Sequence, residues 1–470
     1  MTPKNKPSRK TFQRRLDEMV ELLRKDILSG KIPADKFLPS EAELGKLYQL
    51  SNNSVRKGLE ELVRDGLIEK IPKVGNRVLP VEPESKTVVR FGYHTTINTE
   101  TDIEYLIGEF HKRYPHIQVQ TLSIPTNHFY TFAKEYMDAH LLDIVTINDY
   151  NFQLLEENEA VDMLEPVRYD PDHYPFLAKP FTCQGEQFVQ PFIYAPLVLC
   201  YNRDHFAQNG LQEPDSGWTW SDLFRAAEKL AIENERYGFH FSMLARNRWP
   251  VFMIQSGMSF EPDQSGNYNL YGTKLMDSLD ICKELLTMKG VFPTVLSKSE
   301  EDAEELFAQG KVSIIMTTYA GLNDLRNADI SFDIAPLPTN YDYKTLMIII
   351  GLTVNRKSKV KEAASLLCEF LTSYEAQLMI RKRTLSIPAN KSAAEWTGEE
   401  APMNRPSRFR MFREIIPTFR LSSDLKLKTK ELSIVLREAQ LYWSELHDKK
   451  TMCRNIENKL RESRQEPVSQ

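Results

Sequence analysis

Within SNNSVRKGLEELVRDGLIEK, Ser51–Lys70, the side chains best equipped for chemistry are Asn53, Arg56 and Lys57. Amides and guanidinium groups read base edges through paired hydrogen bonds, and lysines and serines bind phosphates, so the chemistry on offer is recognition of nucleic acid. Ser51, Asn52 and Ser54 add short polar groups to the same turn. A helix must position them: Val55, Leu59, Leu62 and Val63 fall at spacings of four, three and one, forming one apolar face from which Asn53, Arg56 and Lys57 point away. Ser51 can cap that helix and Gly66 can end it. Taken alone, the segment favours an ordinary amphipathic surface helix, and only its surroundings can decide.

A second set of binding side chains lies at the carboxyl ends of strand-like runs: His94–Thr95–Thr96, Asn148–Asp149, Phe192–Tyr194 and Thr318–Tyr319. Ligands of open α/β sheets sit beyond those ends. Trp249 follows the polar run Arg246, Asn247 and Arg248, and Pro250 after it suits a first helical turn. Aromatic rings offer flat apolar faces to sugar C–H groups, while Asp, Asn and Arg pair with hydroxyls. For each of these residues the bland alternative is core packing. Trp218 and Trp220 in GWTWSDLF read as structural, with Thr219 and Asp222 forming a helix cap. Gly351, after the strand LMIII, reads as permitting a close backbone approach.

The elements around Ser51–Lys70 have a recognisable order. Phe12, Leu16, Val20, Leu23 and Ile27 repeat at helical spacing, ending near Gly30. Ser40 and Glu43 make a capping box before a short helix through Leu44 and Leu47, and Gln49–Leu50 turn the chain into Ser51. Short helix, tight turn and second helix make a helix-turn-helix. LIEKIPKVGNRVLP then reads as two strands joined at Val74–Gly75, a wing with Lys73, Asn76 and Arg77 at its tip. Charge agrees: of 60 Lys and Arg and 65 Asp and Glu, Met1–Pro80 holds 17 and 11, a basic head on an acidic body.

The series DILSGKI, LPSEAEL, NSVRKGLEELVRDGLIEK and VGNRV resembles, in order and spacing, the winged-helix head of GntR-type bacterial transcription regulators over about residues 12–80. The resemblance implies that Arg56 contacts DNA, with Ser54 the small hydroxyl before it. Ala42 and Asn52 stand where the family often has arginines, so the operator sequence is not transferable. The expected DNA-binding residues are Ser40, Ser51, Asn52, Asn53, Ser54, Arg56, Lys57, Lys73, Asn76 and Arg77.

After a polar linker at 81–87 with Pro83, strand and helix patterns alternate through VVRFGYH, LLDIVTI, FIYAPLVLCYN, DLFRAAEKLAIE, KVSIIMTT and FDIAPLP, which implies an α/β architecture with parallel sheets. GEFHKRYPHIQV, LLDIVTIND, LFAQGKVSIIMTTYAG and KEAASLLCEFLTSYEAQ, in that order, resemble family 1 extracellular solute-binding proteins from about Val88 to Arg461. The implied fold class is multidomain: a winged helix-turn-helix at 1–80 and a two-lobed α/β solute-binding body, periplasmic-binding-protein-like II, at 88–470. The expected ligand contacts are His94, Thr95, Asn148, Asp149, Tyr194, Arg246, Trp249 and Tyr319.

Other classes fit poorly. There is no GxxxxGK[ST], HExxH or GxSxG, so no enzyme is expected and no cofactor. The carboxylate pairs Glu156–Glu157 and Glu304–Glu305 lie in helix-like runs and read as solvated surface. Nine scattered histidines and five cysteines without a CxxC pair argue against a metal site or disulfide frame. No apolar run approaches the roughly 20 residues of a membrane span, and the basic N-terminus lacks an apolar secretion core. The expectation is a cytoplasmic, ligand-responsive transcription regulator that binds operator DNA as a homodimer and senses a small solute, an oligosaccharide or related sugar, through lobe closure. The alternative is a sugar-transport binding protein whose head does not read DNA.

Overall fold

The computed structural model describes residues 9–28, 31–72, 74–79, 86–125, 128–293, 302–398 and 403–465. The chain divides into two compact units, Met1–Lys86 and Thr87–Gln470. Most of the linker expected at 81–87 lies outside the described residues.

In the first unit, α1 (Arg9–Leu28), α2 (Glu41–Tyr48) and α3 (Asn52–Arg64) precede an antiparallel hairpin of β1 (Ile68–Ile71) and β2 (Gly75–Val78). The caps fall where the sequence places them. Ser40 and Glu43 form the capping box of α2, and Ser51 caps α3. Gln49 takes the left-handed conformation that swings α2 into α3. One small core joins the three helices to the hairpin, through Met19, Val20, Leu23 and Ile27 against Leu44, Val55, Leu59, Leu62 and Val78. Gly58 is what lets α1 and α3 touch: a Cβ there would lie 2.6 Å from Met19 Cε and 2.9 Å from Val20 Cγ2.

The second unit is built on a ten-stranded sheet. Its main elements are β3 (Thr87–His94), α4 (Ile97–Thr101), α5 (Ile103–Arg113), β4 (Ile117–Ile124), α6 (Phe129–Asp138), β5 (Ile144–Asn148), α7 (Asp149–Glu157), β6 (Gln190–Asn202), α8 (Trp220–Leu230), β7 (Tyr237–His240), α9 (Asp280–Thr287), α10 (Asp302–Ala308), β8 (Val312–Thr318), β9 (Phe332–Ala335), β10 (Thr345–Val354), α11 (Lys361–Thr372), α12 (Tyr374–Arg383), α13 (Thr429–Trp443) and α14 (Lys449–Gln465). The strand path is β4-β3-β5-β10-β6-β8-β7, with β9 also on β6.

The expected parallel sheet is only partly present. Pairings β3–β4, β3–β5 and β8–β7 are parallel, but β5–β10, β10–β6 and β6–β8 are antiparallel. The reason lies in the two long strands. β6 has 13 residues, all buried, and at about 3.3 Å per residue it runs roughly 40 Å. It and β10 pass from one lobe to the other. A strand returning beside the one that carried the chain across must run antiparallel to it. Gly351 marks a register shift in β10, where a Cβ would lie 2.4 Å from Val189 Cγ1 and 2.7 Å from the Gln190 carbonyl.

Each lobe has its own core. The first packs α5, α11 and α12 on β3, β4 and β5 through Phe91, Phe110, Leu367 and Phe370. The second packs α8, α9, α13 and α14 around Trp220, Phe252, Leu279, Val435 and Ile456. A third cluster, through Phe152, Tyr194, Ile315, Tyr319 and Phe412, follows the crossing strands.

Candidate functional site: the recognition helix and the lobe boundary

On the first unit, the opening turn of α3 presents Asn52, Asn53, Arg56 and Lys57 to solvent, while Val55, Leu59 and Leu62 are buried. Arg56 is not idle. Its Nη2 and Nε donate to the Glu41 carboxylate at 2.9 and 3.3 Å, which holds the guanidinium against α2 and pushes the Glu41 carboxyl below its ordinary range. Half of the Arg56 side chain stays exposed.

Two expected contacts are turned away from this face. Ser54 is buried, its hydroxyl 2.6 Å from that of Ser51, because both hydroxyls close the first turn of α3. Asn76 is buried because the extended segment at Phe37–Leu38 covers β2, with Leu38 N–H donating to the Asn76 carbonyl at 2.9 Å. Arg77 is half exposed and donates across the hairpin to Glu69 at 2.8 Å. Ser40 is exposed but engaged in its capping box, and Lys73 lies outside the described residues.

In the second unit, the strand ends gather at the boundary between the lobes, but the expected ligand residues part company there. Thr95 is exposed at the end of β3. Asn148 caps α7, its Oδ1 accepting from Asn151 N–H at 2.8 Å. Half-buried Asp149 accepts from the Ile349 N–H of β10 at 2.9 Å, and shielding from water pushes its carboxyl up to about 7. Arg246 is exposed and reaches from the second lobe to Tyr150 of α7: Nη1 donates to the phenol oxygen at 2.7 Å, with the guanidinium 5.0 Å from the ring centre. Beyond β3, Arg326 donates to the Thr99 carbonyl at 3.4 Å, and burial raises the Glu100 carboxyl to about 7.

The aromatic residues expected to stack on a ligand sit in the core instead. Trp249 is 0% exposed within the second-lobe core. Tyr319 is equally buried, its phenol donating to the Phe409 carbonyl at 3.0 Å beneath the rings of Phe409 and Phe412. Tyr194 is boxed in by Tyr174, Phe176, Phe412 and Phe419. His94 stacks on Phe129 at 3.5 Å, its Nδ1 lies 3.0 Å from Thr146 Oγ1, and burial drives its pKa down to about 3. Tyr194 lies on β6, which is buried along its whole length, and for Tyr194 and Tyr319 the cover is an aromatic segment near 409–419 that strand-end logic does not anticipate. His94 is covered by Phe129 and Trp249 by the second-lobe core. A cavity of about 20 Å³ beside Phe129 and Asn151 has room for little more than one water.

The two carboxylate pairs also split. Glu156 and Glu305 are exposed as expected, but Glu304 is 4% exposed, accepts from the Thr317 hydroxyl and lies 4.0 Å from Arg248 Nη2. Glu157 is half-buried and bonds across the lobe boundary to Thr429. The signal for it is present in the sequence: Tyr150, Gln153 and Glu157 recur at three and four, a polar stripe along one face of α7. Among the described residues no group of three or more His, Cys, Asp or Glu is placed to hold a metal, and no helix is long and apolar enough to cross a membrane.

Comparison with known proteins gives two family matches. The model of bacterial extracellular solute-binding proteins matches residues 96–378, and that of the gntR family of bacterial regulatory proteins matches residues 16–78. The chain is similar to the sn-glycerol-3-phosphate-binding periplasmic protein UgpB of Brucella abortus, 22% identical over 250 residues that cover 49% of this chain and 54% of that protein. It thus spans about half the length of the curated relatives it matches. Among solved structures, the ABC substrate-binding protein of Listeria monocytogenes in complex with cycloalternan shares the fold at a TM-score of 0.70, with 19% identity over 81% of this chain and 99% of that one. Maltose-bound MalE3 of T. maritima does so at 0.67, with 18% identity over 80% and 100%.

Proposed function

Because the chain belongs to the bacterial extracellular solute-binding protein family and carries a gntR-family head, we propose that it is a ligand-responsive transcription regulator whose body senses an oligosaccharide by lobe closure. The observation that carries this is one of combination. A single chain holds α3 with Arg56 and Lys57 exposed on its first turn, and a two-lobed body whose boundary is lined by polar strand ends. The head, at 1–80, reads an operator through α3. The body, at 88–470, binds the solute between its lobes, with Thr95, Asn148, Asp149 and Arg246 as the expected ligand residues nearest solvent. The solved relatives bound to cycloalternan and maltose favour a sugar; the glycerol-phosphate-binding relative supplies the competing class.

Closure transmits a signal only if ligand prefers one lobe arrangement over the other, since coupling equals differential affinity. A homodimer on inverted half-sites, working in the cytoplasm, completes the proposal. The test is a mobility shift on DNA upstream of the protein's own gene, with and without maltodextrins, cyclic glucans and glycerol phosphate. A shift altered by a sugar is expected and fixes the sign of regulation. A shift altered by none of them would remove the sensing role, and no shift would remove the DNA-reading role.

A further inference from the structure

The polar stripe on α7 is bonded along its length to the opposite lobe. Its helix belongs to the first lobe by chain order, following β5, and buries Phe152 and Leu155 in the cluster along the crossing strands. Tyr150 accepts from Arg246 of the second lobe. One turn on, Gln153 Nε2 donates to the Leu427 carbonyl at 2.9 Å and to Glu157 Oε1 at 2.8 Å. One turn further, the Glu157 carboxylate accepts from the Thr429 backbone N–H at 2.9 and 3.1 Å and from its hydroxyl at 2.5 Å.

Thr429 is the first residue of α13, a 15-residue helix fixed in the second lobe by Tyr442 OH on Asp280 at 2.7 Å and Trp443 Nε1 on the Leu279 carbonyl at 3.0 Å. The first N–H groups of a helix have no partner within it and carry the positive end of its dipole. The residue before Thr429 is Lys428, whose ammonium cannot accept a hydrogen bond; Glu431 within α13 accepts from the Lys428 N–H at 2.8 Å, but the Thr429 N–H gets no acceptor from the N-cap side chain. Glu157 supplies the missing acceptor from across the lobe boundary. Thr429 is 6% exposed, which shields the charge-assisted bonds from water.

We propose that Glu157 is an interlobe latch: by capping α13 from the other lobe it holds the lobes in the arrangement in which Arg246 meets Tyr150, and so biases the equilibrium between lobe arrangements. Opening the lobes would cost the bonds at Thr429 and leave its N–H without an acceptor, because Glu431 within α13 serves only the Lys428 N–H, at 2.8 Å. Of the two-lobed sensor proposed above, this takes only that the lobes move. Apparent ligand affinity scales with the closed fraction, so the latch also tunes how much ligand is needed to signal.

The experiment needs neither DNA nor sugar, so failure of the sensing role leaves it intact. Spin labels at Lys112→Cys in the first lobe and Lys229→Cys in the second, in a Cys183→Ser background, report the interlobe distance by pulsed electron resonance. The expected result is a single short-distance population in the background protein. In Glu157→Ala a longer-distance population appears and dominates, and in Glu157→Gln, which keeps the size and one acceptor, it appears to a smaller extent. Glu156→Ala, one position along the same helix, leaves the distribution unchanged. A Glu157→Ala or Glu157→Gln distribution superimposable on the background would overturn the latch, as would an identical lengthening in Glu156→Ala.

Discussion

Replacing Trp249 with alanine separates a core residue from a ligand platform. Trp249 is 0% exposed and lies in a cluster with Phe241, Phe252 and Met253, so truncation removes a large ring from a packed interior. Trp-to-Ala changes in cores cost about 3–5 kcal/mol, the lost transfer free energy plus the cavity left behind. No hydrogen bond is lost with the ring, because the indole Nε1 has no partner among the described residues, so the cost is one of packing. A ligand platform on a cleft wall would behave in the opposite way, losing about tenfold or more in ligand affinity with little loss of stability. Fluorescence makes the assay selective. All five tryptophans, at 218, 220, 249, 396 and 443, belong to the Thr87–Gln470 unit, so urea unfolding followed by tryptophan emission reports the body without the head. The expected outcome is a midpoint shift equivalent to about 3–5 kcal/mol. A loss below about 1 kcal/mol would refute the core assignment and return Trp249 to the cleft.

Two further outcomes are expected. Arg56→Ala should weaken operator binding by roughly tenfold to a hundredfold and reduce its salt dependence, whereas Glu41→Gln, which releases the guanidinium from its ion pair, should bind at least as tightly as the parent; equal binding by Arg56→Ala in mobility shifts would mean that α3 is not the reading helix. The Asp149 carboxyl is raised to about 7 from an ordinary 3.8, so the folded body holds a proton there between about pH 4 and 7 that the unfolded chain releases. Its contribution to stability is therefore full below pH 4 and lost as pH rises through 7. Asp149→Asn, which keeps the acceptor for Ile349, should remove this downward contribution, so that its body stability rises relative to the parent's from about pH 4 to 7. Glu100 adds a contribution of the same sign and His94, lowered to about 3, one of the opposite sign, and both are present in parent and variant. A slope equal to the parent's would show that Asp149 is ionised throughout.

Much of the head was legible because its determinants are local. A capping box at Ser40–Glu43, a cap at Ser51 and an apolar row through Val55, Leu59 and Leu62 each depend on residues within one or two turns. Helical periodicity thus placed Asn53, Arg56 and Lys57 on the outer face. The two-lobed body was also foreseen, from ordered motifs along the chain. What the sequence could not weigh were contacts between residues far apart in it. Asn76 is covered by a segment 38 residues upstream, at Leu38, and Tyr319 lies under Phe409, 90 residues downstream. Glu157 looked like surface because its partner, Thr429, is 272 positions away. Local spacing decides which face of a helix or strand is apolar. Only the tertiary structure decides what covers a strand end, and hence which polar and aromatic groups still meet solvent where a ligand could reach them.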